Sequence, residues 1–259
     1  MGIGLAVARR LASRGTELVL VARGSDALRS AIESLEGKGH SWHAFDVSDE
    51  DAWDAVVLGE LNGLVCAAAV LDPIGPLGTY APAEFRRTLE VNTVGTLLAV
   101  HRCLPALQAG GGSIVTFGGG GATSPRPRFD AYAASKAAVV RLTENLAIEL
   151  APLRVNCVAP GFVATRLHEA VLAAGPEAAG QDVYARTSRA VVEGGFPAAE
   201  AADLVCLLLA DPPFSGKLIS AQWDPWRDPA YHERLANNPD LGTLRRIDGM
   251  MFERMGEAR

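Results

Sequence analysis

Tyr132 and Lys136 stand four residues apart in Tyr132-Ala133-Ala134-Ser135-Lys136, a spacing that puts both side chains on one face of a helix. An ammonium held beside a phenol favours the phenolate, drawing a pKa of ~10 towards the working range of a general acid/base. The same spacing also arises by chance, so the rest of the chain decides what the pair is for. Gly2-Ile3-Gly4 opens a segment of helical periodicity. Glycines there let a backbone approach a pyrophosphate, whose charge a helix N-terminus favours. Asn92 lies within a long helical pattern, in Val91-Asn92-Thr93-Val94-Gly95. Asp46-Val47 closes a short apolar run, where Asp46 also suits a helix cap. Pro160-Gly161-Phe162-Val163-Ala164-Thr165 reads as a proline turn leading into a helix that Thr165 can cap.

The elements that must position these residues follow from the hydrophobic pattern. Apolar strands are expected at 17–22, 43–45, 63–69, 113–117, 154–159 and 217–221. Helices are expected at 4–13, 25–35, 49–60, 83–107, 130–150 and 198–210, with Ser25 and Ser48 as caps of the second and third. Apolar strands each separated by a helix indicate a parallel sheet covered on both faces. The expected fold is a single-domain, doubly wound, Rossmann-like α/β fold, with its ligand at the carboxyl ends of the strands. Such a fold begins with a strand feeding the glycine turn, whereas this sequence opens at Met1-Gly2, inside the turn. A first strand missing from the chain is therefore expected, which leaves its neighbours with unpaired backbone groups. A catalytic domain is expected over 1–224, with 225–259 a C-terminal extension packed on it or on a neighbouring subunit.

Composition excludes several classes. The 259 residues are 49% hydrophobic and 21% charged, with a net charge of −6, which argues against a nucleic-acid surface. Cys66, Cys103, Cys157 and Cys206 have no paired spacing and read as free thiols. The five histidines form no metal-binding pattern. No apolar run approaches the ~18 residues of a membrane span, and Arg9 and Arg10 interrupt any signal-peptide core. A cytoplasmic protein with neither membrane nor metal is the expectation.

Taken together, the motifs resemble the short-chain dehydrogenase/reductase family over roughly Gly2 to Ala221. Gly2-Ile3-Gly4 is similar to the end of its cofactor turn, and Asp46-Val47 to the pair that contacts the adenine. Asn92 resembles the asparagine supporting a proton relay, Tyr132 and Lys136 the catalytic pair. Pro160, Gly161, Val163 and Thr165 resemble the segment that holds the nicotinamide end. The resemblance implies a nicotinamide dinucleotide, catalytic roles for Tyr132, Lys136 and Asn92, and a homodimer or homotetramer.

Two positions depart from the family pattern. About thirteen residues before the tyrosine the family has a serine that donates to the substrate oxygen; here Gly119 stands in the run Gly118 to Gly121. Losing one such donor costs ~10²–10³ in rate. Within the strand expected at 63–69 the family's asparagine-rich segment is replaced by Cys66-Ala67-Ala68-Ala69. At the end of the second strand Arg23 suits the 2′-phosphate of NADP, with NAD as the alternative. Residues 166–197 are expected to enclose a partly apolar small-molecule substrate with Leu167, Val171, Leu172, Val183, Tyr184 and Phe196. Trp223 and Trp226 read as packing anchors. The leading expectation is an NADP-dependent oxidoreductase with Tyr132 as acid/base. Its alternatives are a dinucleotide-binding sensor or scaffold with little turnover, and a sugar epimerase or dehydratase with an internal redox cycle.

Overall fold

The computed structural model describes residues 2–246. The chain runs α1 (Ile3–Ala12), β1 (Val19–Ala22), α2 (Ser25–Glu33), β2 (Ser41–Ala44), a 3-10 turn (Asp51–Ala55), β3 (Gly63–Cys66), α3 (Pro82–Leu89), a π turn (Glu90–Val94) and α4 (Gly95–Gly110). It continues through β4 (Ser113–Phe117), α5 (Asp130–Glu149), β5 (Val155–Ala159), α6 (Arg166–Ala179), α7 (Gln181–Val192), α8 (Ala198–Leu209), β6 (Leu218–Ser220) and α9 (Pro229–Asn237). All strand pairs are parallel, as strands separated by helices should be.

β4 is buried along its whole length and shows how the layers form. Val115 and Phe117 pack with Val7 of α1 and Leu204 and Val205 of α8. Ile114, which precedes them and points to the other face, packs with Val100 and Leu107 of α4. That two-residue alternation covers both faces of the sheet. The strands nevertheless form two ladders, β1–β2 and β3–β4–β5–β6. Among the described residues β1 and β3 each pair on one side only. Val21 of β1 and Leu64 and Cys66 of β3 still pack against one hydrophobic cluster.

Two helix starts differ from the sequence reading. Ser25 is the first residue of α2 and not its cap; Gly24 holds that position, without a side-chain hydrogen bond. The helix expected at 49–60 shrinks to the 3-10 turn, because Val56 swings to extended backbone (φ −88°, ψ 103°). The β-branched Val56 and Val57, followed by Gly59, do not sustain a helix. Ser48 is not its cap either, since its N–H and hydroxyl donate to Asp46. The long helix expected at 83–107 appears as α3, the π turn and α4 in succession. No helix among the described residues is long and apolar enough to cross a membrane.

Residues 225–246 fold back onto the domain. Trp226, Tyr231 and Leu235 join the cluster formed by α8 and β6, while Trp223 stays 79% exposed. The rest of the expected C-terminal extension, 247–259, lies outside the described residues. Two buried charges fasten residues 225–246. Lys217 donates to the carbonyls of Asn238 (2.7 Å), Pro239 (3.2 Å) and Leu241 (2.9 Å). Glu144 accepts from the Leu244 N–H (2.6 Å) and from Arg245 (3.2 Å). Replacing Lys217→Met keeps the apolar stem but leaves three carbonyls without their donor. A loss of about 2–4 kcal/mol in urea unfolding is expected. A loss under about 0.5 kcal/mol would mean that water serves those carbonyls equally well.

Candidate active site

Helix α5 carries the reactive pair, and a buried amide sets its position. Asn92 is wholly buried in the π turn. Its amide nitrogen donates to the Val70 carbonyl (2.9 Å) and to Ser135 Oγ (2.9 Å), and its oxygen accepts from the Val70 N–H (2.8 Å). Ser135 donates in turn to the Tyr132 carbonyl (2.7 Å), so this serine serves its own helix. The segment after β3, the π turn and α5 are thus joined at one point.

Tyr132 is 7% exposed and packs with Leu71, Phe129 and Val171, backed by Leu167 and Val183. The segment expected to enclose the substrate therefore closes on the phenol. Lys136 lies on the same helix face, its Nζ 5.7 Å from the Tyr132 ring centroid. That ammonium donates to the Phe117 carbonyl at 2.9 Å. Burial pushes the Tyr132 pKa up, against a downward pull from Arg126. Burial also lowers the Lys136 pKa to about 8, although the neighbouring Cys157 and Cys66 thiols favour its charge.

A second cation beside the phenol is Arg126, a residue the sequence reading missed. Its guanidinium carbon lies 5.8 Å from the Tyr132 ring centroid and 4.4 Å from that of Phe129. It sits in the loop Ser124-Pro125-Arg126-Pro127-Arg128, which no motif covers. The available signal was an arginine between prolines, a short way before Tyr132. Gly119 is part of the same arrangement. A Cβ there would lie 2.6 Å from the Tyr132 hydroxyl, so the phenol occupies the space a serine would need. Thr123 and Ser124 are both exposed.

At the start of α1, Gly2 takes φ +89° and no side chain caps the helix. Thr165 Cγ2 lies 3.8 Å from where a Gly2 Cβ would be, and the Ala67 Cβ 3.5 Å from that of the exposed Gly4. The Ile3 side chain packs into the core. Uncapped N–H groups at the start of α1 fit the phosphates of a dinucleotide. Arg23 is exposed at the carboxyl end of β1. The Asp46 carboxylate bonds Ser48 and Arg87. Burial raises its pKa, but the Ser48 and Arg87 contacts outweigh that and hold it below its ordinary value. Val47 packs so tightly on Gly95 that a Cβ there would meet it at 2.7 Å, which brings two of the motifs into contact.

Pro160 and Gly161 form the turn after β5, where Gly161 takes φ +80°. The Phe162 N–H donates to Gln222 Oε1 at 3.2 Å. The Val163 side chain is buried in place, and Thr165 holds the cap position of α6. A cavity of about 350 Å³ lies against this turn, lined by Phe162, Phe196, Gln222 and Glu193 among others. Of the expected pocket residues Phe196 lines that cavity, Leu167, Val171 and Val183 pack towards Tyr132, and Leu172 and Tyr184 are half-buried. All four cysteines are free thiols. Among the described residues no three His, Cys, Asp or Glu side chains gather as a metal site.

A family profile described as enoyl-(acyl carrier protein) reductase matches residues 1–214. This chain belongs to the short-chain dehydrogenase/reductase family. Human dehydrogenase/reductase SDR family member 4 is 36% identical over 175 residues, which is 63% of this chain and 63% of that protein. The chain thus aligns with under two thirds of that relative's length. NAD+-bound xylitol dehydrogenase superposes with a TM-score of 0.73 at 26% identity, covering 84% of this chain and 92% of that one. Actinorhodin polyketide ketoreductase with NADPH gives the same TM-score, 0.73, at 26% identity, covering 85% of this chain and 91% of that one. The family's doubly wound fold is the one observed here.

Burial of Lys136 has a consequence in stability. Its folded pKa of about 8 lies below the ordinary 10.5. Between those values the unfolded chain binds the extra proton, so stability rises with pH; below about 8 the full cost of burying the charge applies. Relative to a Lys136→Met variant, the wild type should gain on the order of 3 kcal/mol across that window. Chemical denaturation of both proteins at several pH values measures the difference, and parallel curves would show that the ammonium is not desolvated.

Proposed function

We propose that this protein is an oxidoreductase acting on a carbonyl or alcohol carbon of a small molecule with a nicotinamide dinucleotide. The observation that carries the reading is the placement of Tyr132. Its hydroxyl lies beside Gly119, among the apolar side chains of α6 and α7, while Asn92 and Ser135 fix its helix from behind. The dinucleotide, when bound, supplies or accepts the hydride. Tyr132 Oη gives the proton to the substrate oxygen in reduction and takes it back in oxidation. Lys136 and Arg126 favour the phenolate by their charge, and Asn92 holds the relay in register.

The backbone of Gly2, Ile3 and Gly4 would hold the pyrophosphate, and Asp46 and Val47 the adenine end. Pro160, Gly161, Val163 and Thr165 would hold the nicotinamide end, and Lys136 the adjoining ribose. Arg23, exposed where a 2′-phosphate would lie, favours NADP over NAD. The two solved relatives carry one form each, so neither outweighs that residue.

A second reading, a dinucleotide-binding protein with little turnover, is favoured by one arrangement. Gly119 has no hydroxyl for the substrate oxygen, and the Lys136 ammonium is engaged by the Phe117 carbonyl. The two readings separate in one experiment, oxidation of NADPH followed by absorbance over a panel of ketones and aldehydes. Turnover that falls ~10²–10⁴-fold in Tyr132→Phe, with NADPH binding intact, supports the enzyme. Tight NADPH binding without turnover on any compound supports the second reading. Arg23→Ala should weaken NADPH binding ~10-fold and leave NADH unchanged; equal effects on both would remove the argument for NADP.

A further inference from the structure

We propose that Arg126 binds a carboxylate of the substrate beside the Tyr132 hydroxyl. This rests on the reading of Tyr132 as the proton donor, and it names the class of molecule that site accepts. Arg126 is half-buried, yet among the described residues neither it nor Arg186 of α7 forms an ion pair. Its one hydrogen bond is a long contact of 3.5 Å to the Gly120 carbonyl. A guanidinium carries five donors, so most of this fork is left for another partner. Arg128, two residues on, is the contrast: its guanidinium is engaged by the carbonyls of Glu177 and Ala178.

The surroundings make that unpaired cation effective. Its guanidinium is stacked on Phe129 and reaches the Tyr132 ring, in a cluster completed by Leu71 and Val171. A charge held against apolar walls keeps much of its field. Burial lowers the Arg126 pKa, and the like charge of Arg186 adds to that, while Tyr132 opposes it. Burial and the Arg126 charge together bring His168 down to about 4. The charged neighbours named in these shifts, Arg126 and Arg186, are both cationic. One planar fork in an apolar enclosure matches a planar carboxylate. The phosphates of the dinucleotide have their own donors, at the start of α1 and at Arg23.

The test uses 4-oxopentanoate and benzoylformate, each against its methyl ester, titrated by calorimetry into the full chain with NADP+ present. Turnover of the same compounds with NADPH is followed in parallel. The acids should bind at least ~10-fold more tightly than the esters. Arg126→Gln should remove that preference, a ~10–100-fold loss for the acids alone, with NADP+ affinity unchanged. Arg186→Gln, at an exposed position outside the stack, should cost the acids a smaller factor of ~3 without disturbing the core. Preferential binding of acids without turnover would end the proposed activity and leave the anion site standing. No preference in the wild type, or a preference untouched in Arg126→Gln, overturns the anion site whatever the turnover. Weaker NADP+ binding in Arg126→Gln, with the acid preference kept, assigns the arginine to the dinucleotide and overturns it too.

Discussion

The carboxamide of Asn92 has no exposed surface and makes bonds to two different parts of the chain. It holds both backbone groups of Val70 beyond β3, and it holds α5 through Ser135. A buried amide with any of these partners missing is costly, so the three bonds succeed or fail together. The π turn is part of this device, because such a bulge sets side chains off the regular helical repeat. Thr96 adds a bond to the Asn92 carbonyl at 2.8 Å, within the stretch where α4 resumes. Gly95 then admits Val47 against the helix. One side chain thus fixes the height and rotation at which α5 offers Tyr132 and Lys136.

That placement sets up a conflict between burial and charge. Desolvation moves the phenol and the ammonium in opposite directions, and both movements favour the neutral forms. Proton transfer at a phenol needs the charged form to be accessible. Cys66 is one of the two thiols beside the Lys136 ammonium, and it favours the charged form against that burial. The Cys66 thiol itself is pushed up to about 12 and stays neutral. Arg126 acts in the same sense on the phenol. It reaches the phenol from the loop side, and its charge favours the phenolate that burial opposes.

Those features differ in how far they can be read from residues alone. β4 matches the apolar run at 113–117 residue for residue, because burial on both faces leaves no other place for five such side chains. Tyr132 and Lys136 are legible as a pair because spacing on a helix fixes which side chains share a face, whereas Asn92 is legible only through the resemblance of its segment. The 49–60 segment misleads because its helical spacing is undone by Val56, whose backbone choice depends on the strand that follows. Arg126 is illegible for a different reason. Its contact with Tyr132 is made by a loop whose path is set by the glycines of 118–121 pressed on α5, with Gly121 at φ +97° and its Cβ position 2.7 Å from that of Ala133. No periodicity encodes such an approach.

The division of the sheet raises the question of what holds the glycine turn where it is. Among the described residues no strand feeds α1, yet Gly2 and Gly4 sit against Thr165 and Ala67, beyond the carboxyl ends of β5 and β3. The position follows from α1 itself. Val7, Ala8 and Ala12 are buried, and Val7 shares a cluster with Leu204, Val205 and Leu208 of α8. Arg10 closes the rim with an ion pair to Asp203 at 2.8 Å. Because α8 also packs on β4 through Val115 and Phe117, α1 is registered to the four-stranded ladder by helix packing. The turn at Gly2 is therefore aligned with the same strand ends that carry the Gly161 turn and the loop facing Tyr132. The glycine turn keeps its place despite the division of the sheet because its helix is registered to β3–β4–β5–β6.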